Sequence, residues 1–287
     1  MKPIIFTDAS CDLPLSYIEK NDIPYLGLVC HFKGKDYEDD FGKSIPYKEF
    51  YDALRLGEMP YTSQINEYRF IQKFNELLKY NRPIIYIGMS SGLSGTVNSA
   101  KLAREAVISE NKNADIIVID SKCASLGQGL LVYNAVKMRE EGCSALDITK
   151  WIYDNINKMN HWFVVEDLSH LKRGGRISAT SAAIGNILDI KPIICITEDG
   201  KLKNVSNVRG KKKAIRFLVD KFKNNVSNYE RSTLAISHGD CLEDALHLKE
   251  ILIKEYKVKE IIINELGAGL GSHCGNGMLS LCYIGNS

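Results

Sequence analysis

A chain of 287 residues with 45% hydrophobic and 25% charged residues can build one large core or two ordinary ones. Its formal charge of +2 is too small to draw a nucleic acid, and no apolar run nears the ~20 residues that a membrane helix needs. The eight cysteines form no C-x-x-C pair and the six histidines no H-x-x-x-H pair, so neither a metal site nor a disulfide framework is expected. The expected setting is the cytoplasm, with reduced, mostly buried thiols and no secretion signal ahead of the strand-like run at Pro3.

Short apolar runs at Pro3–Phe6, Tyr25–Phe32, Pro83–Ile87 and Ile116–Ile119 read as strands. Helical patterns alternate with them at Leu15–Lys20, Tyr47–Leu56, Glu67–Tyr80, Thr96–Val107 and Gly127–Glu141. Apolar strands alternating with helices predict an α/β domain of three layers, its mostly parallel sheet covered on both faces. Ligands of such sheets sit beyond the carboxyl ends of the strands. Four polar segments are expected there: Thr7–Asp12, Thr62-Ser63-Gln64, Gly88–Thr96 and Asp120-Ser121.

After a helix at Ala145–Met159 the pattern changes. His161–Val165 reads as a strand, Leu168–Arg176 as a short helix ended by glycine, and Ser178–Gly185 as a small-residue helix. Ile190–Ile196 and Lys201–Val208 flank Asp199-Gly200, a strong hairpin signal. Helices at Lys211–Phe222 and Leu242–Glu255 then alternate with strands at Thr233–Ser237, Glu260–Ile263 and Met278–Ile284. The expectation is two domains, a Rossmann-like α/β domain at 1–159 and a second α/β domain with a mixed sheet at 160–287. No Pro/Ser-rich linker separates them, so a large shared interface is expected, and interfaces of that kind host ligand pockets.

Three motifs suggest chemistry. Gly88–Thr96 puts three serines and a threonine between a strand and a helix N-terminus. First-turn N–H groups lack partners there and the helix dipole favours negative charge, so the turn suits an anion. The same turn contains Gly88-Met89-Ser90-Ser91-Gly92, and Asp120 and His273 follow it in the order of an α/β hydrolase. Against a hydrolase stands Leu93-Ser94-Gly95, which separates Ser90 from the helix. Gly267–Ser272 imitates a dinucleotide loop but fails at its sixth position, leaving a glycine-rich loop that brings His273 close to a ligand. Asp8 and Asp12 read as cap and turn residues. Two basic clusters, Arg173/Arg176 and Arg209 with Lys211–Lys213, fit a solvated face or contact with phosphate or an acidic partner.

Nine segments, in this order, resemble the DegV family of bacterial fatty-acid-binding proteins. They are Thr7-Asp8 with Asp12-Leu13-Pro14; Thr62-Ser63-Gln64; Ser90 through Thr96; Asp120-Ser121 with Gly127 and Gly129; Leu171 through Ile177; Ile190-Lys191-Pro192; Arg209 through Ala214; Ser237-His238-Gly239; and Gly271 through Gly275. The resemblance implies a DegV-like pair of α/β domains around one long-chain fatty acid such as palmitate, stearate or oleate, with no cofactor. It implies a non-catalytic carrier whose bound carboxylate is phosphorylated by a separate fatty-acid kinase, feeding phospholipid synthesis, with transient contact to a membrane surface. By motif position Thr62, Ser94 and His273 hold the carboxylate, with Ser63, Gly95 and Ser91 as further head-group contacts. Arg173, Arg176 and Arg209 become partner contacts. Ala182, Ile184, Ile187 and Leu188, in an Ala/Ile/Leu-rich stretch, are expected to wall the acyl chain. The chain departs from the family pattern at Ala9, Ile65 and Asn276. The last of these replaces a proline beside His273 and predicts a looser loop. Two other functions stay open at this point: an acyl-ester hydrolase using Ser90 or Ser94, and a regulatory lipid sensor.

Overall fold

The computed structural model describes residues 1–178 and 189–286. In chain order the first half runs β1 (Ile4–Asp8), α1 (Leu15–Lys20), β2 (Tyr25–Leu26), β3 (Val29–Phe32), β4 (Lys35–Glu38), α2 (Tyr47–Arg55), β5 (Tyr61–Ser63), α3 (Glu67–Leu78), β6 (Ile84–Gly88), α4 (Thr96–Glu110), β7 (Ile116–Asp120), α5 (Ser125–Glu140) and α6 (Ala145–Ile156). The second half adds β8 (Met159–Val164), α7 (Ser169–Arg173), β9 (Ile190–Ile196), β10 (Leu202–Arg209), α8 (Lys211–Asn225), β11 (Thr233–His238), α9 (Leu242–Tyr256), β12 (Glu260–Glu265), α10 (Ala268–Cys274) and β13 (Leu279–Ile284). The segment expected to form a small-residue helix, Ser178–Gly185, lies almost wholly outside the described residues.

The fold is α/β with two main sheets. The first is parallel, in the order β2-β1-β6-β7. Its strands are apolar on both faces because both are covered. On one side Phe70 and Phe74 of α3 and Val97 and Ala100 of α4 pack on Phe6 and Tyr86; on the other, Leu126, Leu130 and Leu131 of α5 pack on Ile5, Ile85 and Ile87. The second sheet is mixed, in the order β10-β9-β8-β13-β11-β12, with only β11 and β12 parallel. Leu218, Phe222 and Leu248 of α8 and α9 fill one face of it. Helix α5 also packs against β8, β11 and β13, so one helix lies between the two sheets.

The structure corrects the sequence expectation at two places. Tyr25–Phe32 is two strands: β2 joins the parallel sheet, while β3 leaves it to form a small antiparallel sheet in the order β4-β3-β5. The chain turns at Gly27, where a Cβ would lie 1.9 Å from the Asp39 carbonyl oxygen. The hairpin between β3 and β4 is a two-residue turn at Lys33-Gly34, both with positive φ (48° and 73°), the geometry that matches strand twist. The second correction is α10. The glycine-rich stretch is a helix, with Gly267 at its N-cap and His273 in its last turn. Its glycines serve close packing, since a Cβ on Gly269 would meet Asp39 Oδ2 at 2.6 Å and one on Gly271 the Phe50 ring at 2.7 Å. Nor is the following turn loose: Asn276 donates from Nδ2 to the Tyr51 carbonyl at 3.1 Å.

Candidate functional site

The Gly88–Thr96 turn is built on a buried carboxylate. Asp8 ends β1 and is fully buried. Its Oδ1 accepts from the Ser10 amide and hydroxyl, and its Oδ2 from Tyr86 Oη at 2.7 Å and the Met89 amide at 3.1 Å. Four donors satisfy one ion, so the turn after β6 is pinned to the end of β1. Ser90 Oγ donates to the Gly200 carbonyl at 2.8 Å, in the β9–β10 hairpin. Gly92 lets that hairpin approach, since a Cβ there would sit 2.7 Å from the same oxygen. The second sheet therefore reaches across to the first through Asp199-Gly200 and the serine turn.

That arrangement separates the three residues of the hydrolase order. Ser90 is bound to a carbonyl, Asp120 accepts from Ser91 Oγ at 2.5 Å, and His273 pairs with Thr62. Ser90 has no imidazole among its hydrogen-bond partners, so no base is in place to activate it.

Ser94 is buried just ahead of α4, where its Oγ accepts from the Thr96 amide at 3.2 Å and meets Thr96 Oγ1 at 2.9 Å. Thr62, on β5, is paired with Cys30 of β3 and presents its hydroxyl to His273 Nε2 at 2.8 Å. Both elements that carry this pair, β5 and α10, went unforeseen as regular structure. Helix α10 is anchored at its start by two buried carboxylates: Asp12 Oδ1 accepts from the Gly267 amide at 2.9 Å and Asp39 Oδ2 from the Gly269 amide at 3.0 Å. Burial raises the carboxyl of Asp39 to about 7, and drives that of Asp12 well above the ordinary range.

Burial, then the nearby Arg176 and Arg173 charges, lower His273 to about 4, so its ring is neutral at pH 7. Its Nδ1 is buried without a partner against Gly174, where a Cβ would lie 2.2 Å away. With the proton on Nε2, the ring donates to Thr62 Oγ1 and leaves the Thr62 hydroxyl to donate to an anion. Arg176, half-buried, donates from Nε to the Leu93 carbonyl at 3.1 Å, which ties the segment after α7 to the serine turn. Arg173 is exposed, with one Nη at 3.0 Å from His170 Nδ1.

Thr62, Gln64, Ser94, Arg176 and His273 lie on the wall of one pocket between the two sheets, with a cavity volume of about 60 Å³. A mostly apolar lining with a few polar groups has the character of a small-molecule site. Most other lining residues are apolar, among them Leu28, Leu93, Phe163, Ile196 and Leu270. Thr62, His273 and Arg176 are partly exposed and Gln64 is exposed, while Ser94, His161, Met89, Phe163, Leu171, Leu266 and Met278 are buried. The pocket is thus mostly apolar, with polar groups at its exposed edge and a few among its buried residues.

The remaining expected residues fall elsewhere. Ser63 alternates with Thr62 along β5, and its Oγ bonds His31 Nε2 at 2.8 Å. Ser91 is engaged with Asp120. Gly95 is the N-cap of α4, close enough to Gln64 that a Cβ would clash with Oε1 at 2.1 Å. Arg209 is exposed at the end of β10. Ala182, Ile184, Ile187 and Leu188 lie outside the described residues. Sequence reasoning placed Gln64 in a polar segment near the ligand but gave it no role, and passed over His161; both line the pocket. The only signal for His161 is an imidazole on the inward face of an apolar strand, alternating with Phe163 and Val165.

A sequence profile described as "Uncharacterised protein, DegV family" matches residues 2–286. The chain belongs to the DegV family. A DegV domain-containing protein of Clostridium perfringens is 43% identical over 286 residues, covering 100% of this chain and 98% of that one. A Thermus thermophilus DegV family protein, described by its fatty acid binding, superposes with a TM-score of 0.89 at 29% identity over 100% of both chains. A protein of Eubacterium ventriosum described as stearic acid-binding gives 0.85 at 25% identity, over 99% of this chain and 98% of that one. Among the described residues of this DegV protein no helix is long and apolar enough to cross a membrane, and no cluster of three or more His, Cys, Asp or Glu could hold a metal.

Proposed function

We propose that this DegV protein is a non-catalytic carrier that binds one long-chain fatty acid and presents its carboxylate to a separate kinase. The observation that carries the reading is a mostly apolar pocket between two sheets, lined also by Thr62, Ser94 and a neutral His273, in a fold shared with proteins described as fatty-acid binding. A carboxylate leaving water needs donors to replace its hydration, and the Thr62 hydroxyl, backed by His273 Nε2, and the Ser94 hydroxyl supply two. The acyl chain supplies affinity: burying ~14 methylenes at ~0.8 kcal/mol each is worth roughly 11 kcal/mol before ordering costs. The half-exposed mouth suits a carrier, because a partner's phosphoryl donor must reach a bound head group. Arg173, Arg176 and Arg209 are the proposed contacts for that kinase or its phosphate, the setting is cytoplasmic, and loading or unloading involves brief contact with a membrane surface. The two domains meet near residue 160, with the pocket at their interface.

Mass spectrometry of the purified protein, native and then denatured and extracted, tests this. About one equivalent of a C16–C18 fatty acid is expected, released on denaturation. A protein that is empty and takes up none when supplied with palmitate, stearate or oleate defeats the proposal.

A further inference from the structure

Deep in the same pocket sits a polar side chain that the carboxylate site does not use. His161, on β8, is 4% exposed and forms part of the pocket wall. Among the described residues, neither of its buried ring nitrogens has a hydrogen-bond partner. The helix facing it makes room for the ring: a Cβ on Gly127 of α5 would lie 2.7 Å from His161 Nδ1. Its other near neighbours are Phe163, edge-on at 5.8 Å between ring centroids, and Cys282, its register partner on β13. Ser125, another polar wall residue, is already committed, donating to Ser237 Oγ at 3.0 Å, while Ser237 is bonded in turn to Ser280. The protein therefore surrounds one imidazole with apolar groups and satisfied hydroxyls, inside a cavity.

Buried polar groups without partners cost stability, and a phenylalanine or leucine here would escape that cost. A neutral imidazole needs a partner that can accept from one nitrogen or donate to the other. A plain acyl chain offers neither; a hydroxyl on the chain offers both. We propose that His161 forms a second polar subsite in this pocket and selects fatty acids bearing a hydroxyl along the chain. The inference rests on the fatty-acid reading above, and sharpens it from chain length to chain functionality.

The test is competitive binding of stearate and a positional series of monohydroxystearates, followed by native mass spectrometry on the full-length protein. One hydroxyl position, or two adjacent ones, should bind at least threefold tighter than stearate. His161→Phe should remove that preference while stearate binding is kept or strengthened. Because phenylalanine could crowd Gly127, His161→Leu is run beside it, and each variant's melting temperature shows whether it is folded. A flat profile across positions is the result of a histidine that only packs or holds a water, and it overturns the proposal. So does a preference that survives in both variants. Uptake of stearate with a flat profile leaves the fatty-acid reading standing; uptake of no chain at all defeats both.

Discussion

A carboxylate surrenders strong hydration when it enters a pocket, so each hydrogen-bond donor at the mouth counts. In the proposed site Ser94 would be such a donor, and its contacts with the Thr96 amide and hydroxyl, at 3.2 and 2.9 Å, fix its position. Ser94→Ala should weaken fatty-acid binding by roughly 0.5–1.5 kcal/mol, about two- to tenfold, and should slow kinase-coupled phosphorylation more than binding, since transfer depends on head-group geometry. Ser63→Ala is the contrast: its hydroxyl bonds His31, and binding should be unchanged. Calorimetry on the two variants decides, and equal losses would show that the wrong hydroxyl has been assigned. At this scale the sequence was legible only in part. Helix-terminus physics marks the serine turn as suited to an anion, but the pairing of Thr62 with His273 is invisible, because residues 211 positions apart reveal their 2.8 Å contact only once folded. His161 left no usable signal, since one histidine in an apolar strand reads as an ordinary core residue.

Elements with strong periodicity were readable and those built on packing exceptions were not. The parallel strands and their helices follow from apolar runs and amphipathic spacing. Helix α10 does not, because its glycines lower helix propensity and their purpose, close approach to Asp39 and Phe50, is tertiary. The small sheet was missed for a similar reason: the break between β2 and β3 depends on Gly27 meeting the Asp39 backbone. Asp39 links both surprises, and gives α10 a pH dependence with a definite sign. Burial raises its carboxyl from the ordinary 3.8 to about 7, so between about 4 and 7 the folded state holds a proton that the unfolded chain has lost. This group's contribution to stability therefore falls as pH rises from 4 to 7, and the penalty is complete above 7. Asp39→Asn keeps an acceptor for the Gly269 amide but cannot ionise. Urea unfolding at pH 5, 6, 7 and 8 should show the variant gaining on the wild type as pH rises, by at most about 3 kcal/mol over this range at 1.36 kcal/mol per pH unit. Parallel pH profiles for the two proteins would mean that Asp39 titrates normally in the fold.

Across the whole molecule, the alternation of strands and helices told that there would be a parallel sheet followed by a mixed one, but not how the two meet. That meeting depends on long-range fits: the Gly200 carbonyl against Ser90 and Gly92, Arg176 on the Leu93 carbonyl, and α5 shared by both sheets. None of these pairs is close in sequence, and a pocket lined from both halves of the chain is equally invisible before folding. The consequence is that a ligand in this pocket touches both sheets and stabilises the whole fold. A ligand that binds only the native state adds RT ln(1 + [L]/Kd), about 2.7 kcal/mol at a hundredfold excess over Kd. For a chain of this size each kcal/mol moves the melting temperature by roughly 2–4 °C, so stripping the fatty acid should lower it by about 5–10 °C. Readdition of stearate should restore it. Hydrogen exchange should locate the gain in β8, α5 and α10, which border the pocket from both halves. A delipidated protein that melts with the reloaded one, while mass spectrometry finds stearate bound, would put the acyl chain somewhere other than between the sheets.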